Sequence, residues 1–291
     1  MRAAIKRENY QGPVGASPFV YAGDVCNNRC VYCFERDLIF RQKSTDELRR
    51  EIAAIREKFD LINFMGQEPT LRKDIFELIR YAKGLKFSQI GITTNGRLLA
   101  YPDFAHKLAD SGLDQAVITV AGCNALLHDR HTAAKGSFKE TLQGIKNFIA
   151  LQKERRLSLV LNVMVTKLNY KELLKIVKFY IDLGVKEINI GHILPFNKNI
   201  VNSRCIIAKM SQAAPYLIKI QEKFGALAKF LFVEYPPCIF PKKYRHLSFP
   251  CLEESPQKVR FDLCAKCAYV SKCAGVHQYY INLYGAKEFK L

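Results

Sequence analysis

Pro18-Phe19-Val20-Tyr21-Ala22-Gly23 leads into Cys26-Asn27-Asn28-Arg29-Cys30-Val31-Tyr32-Cys33 and then to Thr45-Asp46-Glu47-Leu48. The first six residues form a short apolar run closed by Gly, which reads as a buried strand. Thr45-Asp46-Glu47 sets a hydroxyl and carboxylates where the first free N–H groups of a helix need acceptors, a capping signature. Strand, Cys-rich loop to about Arg36 and helix make one βα unit, and the unit recurs. The apolar pattern predicts strand 60–65 with helix 72–84, strand 88–94 with helix 98–111 and strand 115–121 with helix 137–153. Strand 158–165 precedes a helix over 170–183 that Asn169 caps and Gly184 closes, and strand 187–194 precedes a helix over 208–226.

Six strands alternating with helices pair in parallel through right-handed crossovers, which predicts an α/β chain with an open or closed barrel, in its open form a partial (β/α)6 TIM-like barrel. Chemistry in such barrels sits at the carboxyl ends of the strands. The unusual residues of this chain fall there: the Cys loop after the first strand, Gly66-Gln67-Glu68-Pro69 after the second, Thr93-Thr94-Asn95-Gly96 after the third. Beyond a seventh candidate strand at 229–234 the composition shifts to Pro236-Pro237-Cys238 and a Cys-rich tail. We divide the chain into a barrel over 1–234 and a small C-terminal metal-binding module over 235–291, because so short a tail with few regular elements struggles to build a core alone.

The 291 residues are 49% hydrophobic and 25% charged, an ordinary globular composition that excludes disordered and collagen-like classes. No apolar run is long enough to span a bilayer, and Met1-Arg2-Ala3-Ala4-Ile5-Lys6 has no apolar signal core behind it, so the expectation is a cytoplasmic protein with no membrane partner. The net charge of +18 is concentrated in 135–230, with 17 basic and 6 acidic side chains. That excess suits either a Lys-rich solvated face or an anionic partner such as RNA.

Ten cysteines without an export signal point to metal and away from a disulfide framework, and eight fall in two groups. Cys26, Cys30 and Cys33 place three thiolates in one loop. A structural zinc site wants four protein ligands, whereas three on a four-iron cluster leave one iron open. This spacing, with an aromatic residue before the last Cys and with Met65-Gly66-Gln67-Glu68-Pro69 at the second strand end, resembles the radical SAM superfamily. A zinc knuckle is the alternative.

The resemblance implies chemistry carried by cofactors, with the protein supplying orientation and electrostatics. In that family S-adenosylmethionine (SAM) binds the open iron of a 4Fe–4S cluster, and one electron from the cluster breaks a C–S bond. The resulting 5′-deoxyadenosyl radical removes hydrogen from a substrate. By position Cys26, Cys30 and Cys33 hold the cluster, Tyr32 lies near adenine, and Gly66, Gln67, Glu68 and Pro69 receive the SAM ammonium, Glu68 through its carboxylate. Thr94 and Asn95, in a Thr-Asn-Gly turn frequent after the third strand of the family, are implied cofactor contacts that read otherwise as a polar turn. Thr119, Asn162 and His192 are placed to reach ribose or methionine groups, although His192 reads equally as a core histidine. His128-Asp129 with Gly136-Ser137-Phe138 resembles the loop and helix start of peptide-modifying members, with Ser137 as a helix cap. The chain departs from the family in Gln67, where a second Gly is usual, and in Thr119-Val120-Ala121-Gly122, where Ser-Leu-Asp-Gly is frequent.

In the tail, Cys264-Ala265-Lys266-Cys267 followed by Cys273 resembles SPASM or twitch extensions. The resemblance implies a second, auxiliary 4Fe–4S cluster on Cys264, Cys267 and Cys273, with Cys251 or Cys238 as fourth ligand and His277 as an outside candidate. A structural zinc ribbon also begins with such a pair. Cys123 and Cys205 read as ordinary thiols. The function expected is hydrogen abstraction from a peptide or protein side chain, with an external one-electron reductant such as flavodoxin or ferredoxin. The alternatives are modification of RNA or a nucleotide and a zinc-containing nucleic-acid-binding protein, the former drawing on Tyr235, Tyr244, Tyr279 and Tyr280 as a stacking surface.

Overall fold

The computed structural model describes residues 19–33, 42–193, 203–249 and 257–290. The chain begins with β1 (Phe19–Gly23), α1 (Thr45–Arg56), β2 (Leu61–Gly66), α2 (Ile75–Gly84), β3 (Gln89–Thr94), α3 (Pro102–Asp110) and β4 (Gln115–Val120). It continues through α4 (Ala125–Thr132), α5 (Ser137–Glu154), β5 (Ser158–Val165), α6 (Leu173–Asp182), β6 (Glu187–His192), α7 (Ser203–Ile206), α8 (Met210–Phe224) and β7 (Lys229–Val233). The tail adds β8 (Ser248–Phe249), β9 (Lys258–Val259), β10 (Val276–His277) and α9 (Gln278–Tyr284). Strands β1 to β8 form one sheet in chain order, every neighbour pair parallel, as crossover helices require. No helix among the described residues is long and apolar enough to cross a membrane.

The predicted units recur with small shifts. The cap of α1 is Ser44, one residue before the expected start: its hydroxyl accepts from the Glu47 N–H at 3.2 Å, and the Glu47 carboxylate accepts from the Ser44 N–H at 2.8 Å. Helix α4 was not expected, because its apolar residues do not share a face. Leu126 is 85% exposed, while His128, His131 and Thr132 are buried. The Asn124 side chain starts that helix by accepting from the Leu127 N–H at 2.9 Å.

The tail is not held at arm's length. Strand β8 pairs with Phe232 and Val233 of β7, so residues beyond 234 complete the barrel sheet. Val276, Tyr280 and Phe289 join the same buried cluster as the barrel strands. The Tyr280 hydroxyl accepts from the Met210 N–H at 2.7 Å, and the Tyr284 hydroxyl donates to the Ile207 carbonyl at 2.6 Å, tying α9 to the approach of α8. The tail thus shares the core of the barrel.

Candidate active site

The Cys26–Cys33 loop leaves β1 at the carboxyl end of the sheet and is pinned from two sides. On one, the N–H groups of Arg29 and Val31 donate to the carbonyls of Thr132 and His131, both at 2.8 Å, at the end of α4. On the other, the turn after β3 grips it: Asn95 Nδ2 donates to Asn27 Oδ1 at 2.6 Å and lies 3.9 Å from Cys26 Sγ. The Arg97 guanidinium donates to the Asn27 carbonyl and, at 3.0 Å, to Asn28 Oδ1. It is itself held by Glu140 of α5 at 2.5 Å.

The thiols feel one another. Burial pushes Cys30 up to about 12, and the neighbouring Cys33 and Cys26 push it the same way. Thiols whose ionisation burial and their neighbours oppose become thiolates only with cationic charge among them, which an iron–sulfur cluster would supply. The Asn28 N–H, 3.4 Å from Cys26 Sγ, is a donor of the kind such sulfurs accept. The donor set therefore fits a cluster whose irons each take one cysteine. Tyr32 is buried beside it, at ring-contact distance from His131.

The end of β2 is built for close approach. Gly66 has φ +111°, and a Cβ there would lie 2.7 Å from the Gly23 carbonyl oxygen, so only glycine brings the two strand ends together. Gln67 lies outside the positive-φ region, so its side chain is carried without strain. Glu68 is engaged by the protein itself. Its carboxylate is 1% exposed, and both oxygens are taken by the protein. Oε1 accepts from the Thr70 N–H at 3.2 Å and from the Thr70 and Thr94 hydroxyls at 2.6 Å each; Oε2 accepts from the Asn95 N–H at 2.7 Å. Burial raises the Glu68 carboxyl from its ordinary value and these bonds pull it back. The residue is a strut between the ends of β2 and β3, and through Asn95 it reaches the Cys loop. Pro69 is likewise buried beneath the turn.

Above these turns lies a cavity of about 1040 Å³. Its wall includes Cys26, Cys30, Cys33, Tyr32, Gly66, Gln67, Thr94, Asn95, Thr119, Asn162 and His192. His192 is buried at the wall: its ring nitrogens lie 2.9 Å and 3.0 Å from the carbonyls of Ile193 and Ala208, and Tyr235 and Tyr280 flank it edge-on. Burial lowers its pKa. The opposite wall comes from the tail and the end of β7, with Glu234, Arg245, His246, Phe249, Tyr269 and Lys272, none of which carried a recognisable motif. Tyr235 and Tyr280 are fully buried, which removes both from any stacking surface for RNA.

The tail thiols influence one another's ionisation. Cys238 is pushed up to about 12 by burial and by the neighbouring Cys273, Cys264 and Cys267. Backbone N–H groups of Phe261 and Gly275 lie 3.3 Å and 3.4 Å from the sulfurs of Cys264 and Cys273. Cys238 is thus within electrostatic reach of the three tail cysteines. Cys251 lies outside the described residues. His277 is buried and stacks on Tyr279.

The family model "Radical SAM superfamily" matches residues 20–180. A relative named "Probable GTP 3′,8-cyclase", from Saccharolobus islandicus, is 30% identical over 177 residues, covering 59% of this chain and 54% of its own. An "AdoMet-dependent heme synthase" from Methanosarcina barkeri is 29% identical over 178 residues, covering 58% and 48%. The chain therefore spans about half the length of these curated relatives. Among solved structures, Streptococcus suis SuiB bound to S-adenosylmethionine superposes with TM-score 0.67 at 15% identity, over 94% of this chain and 76% of that one. The native anSMEcpe with bound AdoMet and Cp18Cys peptide gives 0.65 at 15% identity, over 94% and 96%. With its three-cysteine loop at the head of a parallel barrel sheet and a family match over most of that barrel, the chain belongs to the radical SAM superfamily.

Proposed function

We propose that this chain cleaves SAM reductively and uses the radical to take hydrogen from a peptide or protein side chain bound between barrel and tail. One observation carries the reading: the cavity of about 1040 Å³ has the three cysteines at one end and tail residues at the other. A cluster on Cys26, Cys30 and Cys33 with SAM bound supplies the hydrogen-abstracting radical. The chain's own residues do the rest. Arg97 and Asn95 hold the cysteine loop, Gly66 and Gln67 present the turn beside it, and Thr119 and Asn162 offer polar contacts along the wall. Cys238, Cys264, Cys267 and Cys273 would hold an auxiliary cluster.

The extent of the likeness to anSMEcpe with its bound peptide supports the substrate class. A second reading, a small anionic substrate such as a nucleotide, draws on Arg245, His246 and Lys272 in the tail-side wall and on the cyclase relatives. Anaerobic turnover with lysate-derived peptide and nucleotide pools, following 5′-deoxyadenosine, separates them. Stimulation by peptides alone supports the first reading, and stimulation by nucleotides alone replaces it with the second. An external one-electron donor such as flavodoxin or ferredoxin completes the proposal.

A further inference from the structure

Three non-glycine residues among those described have positive φ: Lys86, Ala133 and Glu234. Lys86 and Ala133 follow the ends of α2 and α4, where the left-handed conformation is a routine way to stop a helix. Glu234 follows a strand, with φ 63°, and no helix end accounts for it. Backbone strain of this kind persists where the surroundings over-determine it, and it gathers at ligand sites.

Glu234 is also the only carboxylate in the described wall of the cavity. Both of its oxygens lie 3.0 Å from Lys258 Nζ, and the two side chains are only 11% and 5% exposed. A buried pair is costly unless its remaining hydrogen-bonding capacity is used. Lys258 fills part of the carboxylate's capacity, which leaves this residue of the cavity wall with acceptor capacity to spare. It comes from the tail, on β9, whose partner β10 begins three residues after Cys273. That ladder has little slack, since a Cβ on Gly275 would lie 2.3 Å from the Val259 carbonyl oxygen.

We propose that Glu234 is a substrate anchor: its carboxylate, oriented by Lys258, accepts a hydrogen bond from a neutral N–H donor of the substrate, such as a peptide amide. The proposal rests on the peptide reading above and deepens it. Charge favours a neutral donor, because Lys258 already balances Glu234 while Arg245 and Lys272 add positive charge to the same wall. The tail's metal-binding loop, through Gly275, β10, β9 and Lys258, then shapes the substrate site as well as closing it.

Two measurements on the anaerobically reconstituted full chain test this. The first needs no substrate: Glu234→Gly combined with Lys258→Met removes the strain and both charges together. A melting temperature no lower than the parent's shows that the pair is not kept for stability, whereas a fall of more than about 5 °C makes it a structural strut and overturns the proposal. The second uses the lysate-derived peptide pool with the parent and Glu234→Gln, reading 5′-deoxyadenosine with and without peptide for each protein. The peptide concentration giving half-maximal stimulation should rise about tenfold in Glu234→Gln, as expected when a charge-assisted acceptor is replaced by one neutral oxygen that Lys258 also claims. An unchanged value overturns the anchor while leaving the peptide reading intact. Absence of stimulation in the parent defeats the peptide reading, and with it the amide as ligand, whatever the variant does.

Discussion

Replacing Glu68 by Gln keeps the shape of the side chain and removes its charge. The carboxylate now serves four donors: two backbone N–H groups, of Thr70 and Asn95, and the hydroxyls of Thr70 and Thr94. An amide has one acceptor oxygen. If that oxygen keeps the Asn95 N–H, the new NH2 faces three former donors; the hydroxyls can rotate to accept, but the Thr70 N–H cannot. The cost is one charge-assisted bond and a buried donor left unmet, about 1.5–3 kcal/mol. For a domain of this size that lowers the melting temperature by roughly 3–12 °C. Because Asn95 also grips Asn27, SAM affinity should fall with the loosened Cys loop. Calorimetry of the anaerobic protein without SAM, followed by SAM titration, measures both. An unchanged melting temperature together with at least a tenfold loss of SAM affinity would refute the strut and put the carboxylate on the ligand.

Cys238→Ala should lose tail metal to the same extent as Cys264→Ala, Cys267→Ala or Cys273→Ala if Cys238 is the fourth ligand; metal analysis of anaerobically purified proteins compares them. Gly144→Ala places a Cβ 2.2 Å from the Gly96 carbonyl oxygen and should destabilise the chain by about 1–3 kcal/mol in denaturant unfolding. His128 is pushed from 6.5 down to about 4 by burial, so it folds neutral. Its contribution is fully present above pH 6.5 and is lost as pH falls through about 4, amounting to about 3 kcal/mol. His128→Gln should flatten that part of the parent's acid unfolding curve, and identical curves would show that His128 does not titrate on unfolding.

What the sequence made legible was whatever repeats or chelates locally. The βα units show as apolar runs bounded by caps, and Cys26, Cys30 and Cys33 sit within one loop. Contacts made across the fold left no such trace. Glu68 reads as a ligand residue because of its neighbours in the chain, yet Thr94 and Asn95, on another strand end, take its oxygens. Cys238 meets the other tail cysteines only through folding, so spacing left it level with Cys251. Strand β8 has two residues, too short for periodicity, and α4 hides because it buries histidines where an apolar stripe is the usual sign. Glu234 and Lys258 lie 24 positions apart and outside any motif. Their pairing follows from the tail folding back over the barrel.

The most direct measurement is reductive SAM cleavage by the anaerobically reconstituted chain, set beside a triple variant carrying Ala at Cys26, Cys30 and Cys33. The parent should contain iron and sulfide and yield 5′-deoxyadenosine and methionine in equal amounts. The triple variant should lose one cluster's worth of iron, keep the tail metal and yield neither product. A colourless zinc-containing parent, or a triple variant that forms 5′-deoxyadenosine at the parental rate, would contradict the account.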